Sequence, residues 1–129
     1  MAADVVKITD VGMGITTNRL KGAGTEPKFL HWGTGTTPAA NGNTALETPG
    51  AEARTDGTST REETNVANDT YQVTGPIICT GVEKAITEIG LFDADANGNL
   101  YLRGTFDVIN VKVGDSIGPI VRVVYDQAT

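Results

Sequence analysis

The sequence predicts an all-β protein: an antiparallel β-sandwich, jelly-roll-like, with one short N-terminal helix. Two observations carry this. The runs TYQVTGPIICTGV, KAITEIGLFD, NLYLRGTFDVINV and GPIVRVVYD alternate apolar and polar residues with strand period and are separated by turn residues. The composition adds 16 glycines and abundant threonine, which suit many short strands on pleated surfaces. At 129 residues the chain fits one domain, 1–129, large enough to bury a continuous core without disulfides.

In chain order, residues 1–9 read as an N-terminal arm, extended over residues 3–8. Thr9 or Asp10 can then cap a short helix carrying Val11, Ile15 and Leu20 and stopped by Gly22 and Gly24. Gly12 and Gly14 each cost such a helix about 1 kcal/mol, so it needs packing from the rest of the domain. KFLHWGTG reads as a strand ending in glycines. Residues 34–50 follow as a long polar loop, and loops of that length usually bind or link something. The threonine-rich stretch 51–69 suits a hairpin turning at Asp56-Gly57. Most of the core is expected in the second half, from Ile77, Cys79, Ile89, Leu91, Leu100, Leu102, Phe106, Ile109, Val121 and Val123.

Bulk properties narrow the partners. Ten basic and 16 acidic residues give a net charge of −6, with the cations scattered, so nucleic acid is not an expected partner. No apolar run approaches the ~18 residues of a membrane span, and no signal-peptide pattern opens the chain. Cys79, the one cysteine, sits in an apolar run and reads as a small core residue.

Asp93, Asp95, Asn97 and Gly98 stand in the order that opens a calcium loop. That template needs a bidentate Glu at its twelfth position, where this chain has Gly104, and the flanks have strand rather than helix period. The loop reads as a hairpin turn that needs no metal, and no cofactor is expected. His31, the one histidine, reads as a hydrogen-bonded structural residue, and Trp32 as core rather than a sugar-stacking platform. Glu62, Glu63, Glu83, Glu88, Asp93 and Asp95 read as solvated charges, because nothing fixes the separation that paired catalytic carboxylates require. The GTGT stretch lacks the Lys-Ser/Thr of a phosphate loop. No constellation meets the geometric needs of catalysis, so an enzyme is not expected.

Three stretches in order, ITDVGMGITTNRLKG, FLHWGTGTTP with the following TAL, and ITEIGLFDADANGNLYLRGTF, resemble tailed-bacteriophage virion proteins. Both capsid decoration (cement) proteins and tail-fibre attachment domains are similar. The resemblance covers most of the chain, with ITEIGLFD and the following GNL its most specific part, and it implies no catalytic residue. A fibre attachment domain is followed by a shaft and a receptor-binding tip, whereas this sequence stops at VRVVYDQAT, so a free-standing decoration protein is the expected role.

The resemblance implies the major capsid protein and a second or third copy of the chain as partners. It also implies a place on the capsid exterior of the virion after synthesis in the host cytoplasm. The expected contacts are Val5, Val6 and Ile8 of the arm and Thr36, Pro38, Asn41 and Leu46 of the long loop. A tail component, or a carbohydrate-binding module using Trp32 and the tyrosines, is the alternative.

Overall fold

The computed structural model describes residues 4–127, so Ala3 and the rest of the arm's beginning lie outside it. The elements are β1 (Val5–Ile8), α1 (Asp10–Leu20), β2 (Phe29–Gly33), β3 (Thr55–Asp56), β4 (Thr58–Glu62), β5 (Thr70–Thr74), β6 (Ile77–Ile78), β7 (Lys84–Phe92), β8 (Leu100–Val111), β9 (Ser116–Ile117) and β10 (Ile120–Val124). The fold is all-β with one short helix, and every pairing is antiparallel. A five-stranded sheet has the order β1-β8-β7-β2-β3, a three-stranded sheet β10-β5-β4, and β6 pairs with β9.

The main core joins the three sheets and the helix. Leu30, Trp32, Leu91 and Leu102 come from the large sheet, Val73 and Val123 from the three-stranded sheet, Ile77 from β6 and Ile15 from α1. Cys79 is buried among them, as expected. Ile89, Phe106 and Val121 are half-buried against this cluster. Ile109 is not core: it is 44% exposed, on the part of β8 where the register with β7 has slipped. Ile86 and Leu91 lie an odd number of residues apart yet share one cluster, so the inward parity of β7 changes between them, next to the register shift at Ile86/Glu88.

Two sequence expectations change. Residues 5–8 are not a loose arm but the edge strand β1, paired with β8 from Val5↔Thr105 to Ile8↔Leu102, and Ile8 packs on the core. Asp56-Gly57 is not a hairpin turn. β3 pairs with β2 and β4 with β5, so the chain crosses there from one sheet to another, and the Gly57 N–H donates to Lys28 O (2.8 Å). The hairpin that does form joins β4 to β5, closed where the Asp69 carboxylate accepts the N–H groups of Thr64, Asn65 and Val66.

The helix begins where its cap predicts. Thr9 Oγ1 accepts from Gly12 N (2.8 Å) and donates to Leu100 O (2.6 Å), while Thr9 N donates to Tyr101 O (3.0 Å). One residue therefore caps α1 and fixes it to β8. The buried helical face is Gly12 and Ile15, whereas Val11 and Leu20, expected inward, are exposed.

Candidate functional site: a buttressed loop

The second face of the large sheet carries Phe29, His31, Glu88, Phe92, Leu100 and Arg103. Residues 34–52 fold back over it. Leu46 packs with Phe92 and Leu100, and Phe29 closes the cluster from the side. Leu46 is therefore 5% exposed, and the expectation that it contacts a partner fails because it anchors the loop instead.

The centre of this face is Glu88, expected as a solvated charge and in fact fully buried. Its Oε1 accepts from Arg103 Nε (2.8 Å) and Glu47 N (2.9 Å), and its Oε2 from Gly35 N (2.9 Å) and Thr48 N (2.8 Å). A carboxylate has about four lone-pair sites, and all are used. Burial alone would push its pKa up, but the Thr48 and Glu47 N–H groups, Arg103 and Gly35 N hold it below the ordinary value, so it stays ionised.

The glycines of WGTG make room for this carboxylate. A side chain at Gly33 or Gly35 would place its Cβ 2.5 Å from Glu88 Oε2. The stretch ends β2 and runs on without forming a turn, and its glycines are set by the close approach of an acid from β7.

Further bonds stiffen the loop. Arg103 Nη1 donates to Asn43 Oδ1 (3.1 Å), which also accepts Ala40 N (2.8 Å). Glu47 Oε1 accepts Thr36 N (2.8 Å) and Thr37 N (3.0 Å), Ala39 N donates to Thr105 Oγ1 (3.2 Å), and Asp10 N donates to Asn41 O (2.8 Å). The Thr37 hydroxyl and N–H groups hold the Glu47 pKa below its ordinary value. Thr36, Pro38 and Asn41 stay exposed on this framework. Of the β1 residues, Val6 points out at 61% exposure, while Val5 and Ile8 are half-buried.

A second polar knot secures the loop's exit. Glu52 Oε1 accepts from Trp32 Nε1 (2.7 Å), and its Oε2 accepts from Lys84 Nζ (2.7 Å) and Thr80 N (3.0 Å). Burial opposes ionisation of Glu52, but Lys84, Thr80 and Trp32 outweigh it and bring the pKa down to about 2. Trp32 is fully buried, which removes it as a sugar platform. His31 is structural. Its Nε2 lies 2.8 Å from Glu52 O and 3.1 Å from Gly50 O, so the proton sits on Nε2, and burial lowers its pKa.

Residues 93–99 form the tight turn between β7 and β8. Asn97 (φ 56°) and Gly98 (φ 66°) take the left-handed conformation, Asp93 N donates to Asn99 O, and Asp93 Oδ1 accepts Asn99 N (2.7 Å). Arg54 donates to Ala94 O (2.8 Å) and Asn97 O (2.7 Å), which puts a guanidinium against the same loop as Asp93 and Asp95. Among the described residues no group of three or more His, Cys, Asp or Glu side chains is placed to hold a metal ion, and no helix is long and apolar enough to cross a membrane.

Comparison of the chain with protein-family models, curated proteins and solved structures finds no match.

Proposed function

We propose that this chain is a structural protein of a tailed bacteriophage, a head decoration (cement) protein that binds the outer capsid surface and bridges neighbouring capsid subunits. The observation that carries the reading is the loop over Glu88. A loop of this length loses conformational entropy when it binds, unless the fold has already ordered it. Here one saturated carboxylate and one buried apolar residue order it from below, leaving Thr36, Pro38 and Asn41 outward. The anchor residues Glu88 and Arg103 also stand inside the stretch that carries the most specific part of the phage resemblance.

In this reading the five-stranded and three-stranded sheets are the two layers of a sandwich, with the Leu30–Trp32–Val73–Val123 cluster between them. The partners are the major capsid protein and further copies of the chain. A clamp must span subunit joints, and a dimer or trimer with moderate individual contacts gains about 10² to 10⁴ in avidity. Exposed apolar residues on two edge strands, Val6 of β1 and Ile120 of β10 (61% and 62% exposed), support self-association.

The test is attachment to capsids stripped of the protein. Wild type should rebind and raise the temperature of capsid rupture. Asn41→Lys and Thr36→Lys, which change exposed side chains above an intact anchor, should weaken attachment at least tenfold with unchanged melting. Val6→Lys probes the exposed face of β1 while leaving its pairing with β8 in place. Full attachment by both loop variants would remove the loop from the mechanism, and unchanged rupture temperature would remove the cementing role.

A further inference from the structure

All three tyrosines of the chain, Tyr71, Tyr101 and Tyr125, line one groove of about 800 Å³ between α1, the β4–β5 hairpin and the end of β10. That volume lies in the range of small-ligand sites, about 300–1,000 Å³. The groove is separate from the loop of residues 34–50.

Its walls have distinct chemistry. Tyr101 forms a buried floor, with Thr16 Oγ1 3.5 Å from its hydroxyl, and Tyr71 is a half-buried wall. Tyr125 stands at the mouth, 56% exposed, and is tied to the hairpin by its N–H donating to Asp69 O (2.9 Å). Its main chain is held there while its side chain stays accessible.

The polar groups at the rim are only partly committed. The Tyr71 hydroxyl has one proton but two acceptors near it, Pro27 O at 2.8 Å and Glu26 Oε2 at 3.0 Å. When the proton serves Pro27, the Glu26 carboxylate can accept from a ligand hydroxyl. Arg19 donates through Nη1 to Gly24 O (2.9 Å), and the Arg61 side chain on β4 is exposed with no hydrogen bond or ion pair among the described residues. Two cations against one carboxylate give the groove a local positive balance in a chain of net charge −6.

We propose that this groove binds an oligosaccharide bearing a carboxylate. An aromatic ring with a free face stacks on the apolar face of a pyranose. Planar forked donors of Arg61 and Arg19 pair with a carboxylate, and Glu26 with Asn68 takes hydroxyls. An apolar peptide would leave the Arg61 guanidinium without a partner. The inference does not depend on the decoration role, and its failure leaves that role standing.

The test is a glycan array holding sialylated, uronic-acid-containing and neutral oligosaccharides, with a polyglutamate peptide as a control for charge alone. It is read with wild type, Tyr125→Ala and Arg61→Gln. Both substitutions change exposed side chains, and unchanged melting midpoints establish that each variant is folded. Signal should concentrate on carboxylate-bearing glycans. Calorimetric titration with the strongest of these should show at least tenfold weaker binding in each variant. Absence of signal on the acidic glycans, equal signal on neutral ones or on polyglutamate, or affinity unchanged in both variants would each overturn the proposal.

Discussion

Glu88 Oε1 lies 2.8 Å from Arg103 Nε, and both side chains are sealed from solvent. A charge pair in this setting costs desolvation energy, and Arg103 Nη2 has no partner among the described residues, so the pair by itself is weak evidence for stability. Its value lies in the three backbone N–H groups that the same carboxylate accepts from Gly35, Glu47 and Thr48.

Removing one partner should therefore be severe. Glu88→Gln leaves Arg103 buried without a counter-charge and turns an amide toward N–H donors, so denaturant unfolding should show a loss of about 3–5 kcal/mol. The double variant Glu88→Leu/Arg103→Leu removes both charges but still orphans the three loop N–H groups. It should recover part of the loss and not all of it. Full recovery would show that the loop is not held by Glu88.

The helix offers a paired test at Gly12 and Gly14. A Cβ on Gly12 would overlap Tyr101 O and meet Ile8, whereas one on Gly14 meets nothing within 4 Å. Gly12→Ala should push α1 from β8 and cost about 1–3 kcal/mol. Gly14→Ala should stabilise by about 1 kcal/mol, as expected when alanine replaces glycine in an exposed helix interior. Equal effects would mean that α1 does not pack on β8 through Gly12.

Acid should weaken the fold through Glu52. Its folded pKa, about 2, lies below the ordinary 4.5, so the folded state binds fewer protons than the unfolded chain in that interval. The resulting stability is complete above about pH 4.5 and is lost as pH falls toward 2. Glu88 and Asp69, also lowered, act in the same direction. Glu52→Gln should melt lower at neutral pH and lose less between those limits than wild type. A parallel pH profile for the two proteins would contradict this.

At the turn of residues 93–99, millimolar calcium or a chelator should leave the melting midpoint unchanged, since Asp93 already accepts from Asn99 and Arg54 faces the same loop. Gly98→Ala should cost about 1–2 kcal/mol because its φ is +66°. A rise of several degrees with calcium would mark a metal site.

The strands were legible because period-2 alternation survives in TYQVT and IVRVV, and the helix start was legible because Thr9 is a cap by residue type. The anchor was not. An isolated acid at a strand position looks solvated, and its partner lies fifteen residues on, across a hairpin whose register slips on both sides of the pair. One signal was available: Glu88 and Arg103 each interrupt an apolar strand run, beside Gly90 and Gly104. Ile109 was misplaced because alternation carries no record of a register shift. Asp56-Gly57 looked like a turn because the same residues suit a crossing between sheets, a distinction that depends on partners distant in the chain.

The central claim, a decoration role on the capsid exterior, is tested most directly by counting this chain in purified virions and locating it in a density map of the intact particle. The account predicts hundreds of copies on the outer head surface, seated across subunit joints with residues 36–41 against the shell. A handful of copies at the tail, or none in the particle, would contradict it.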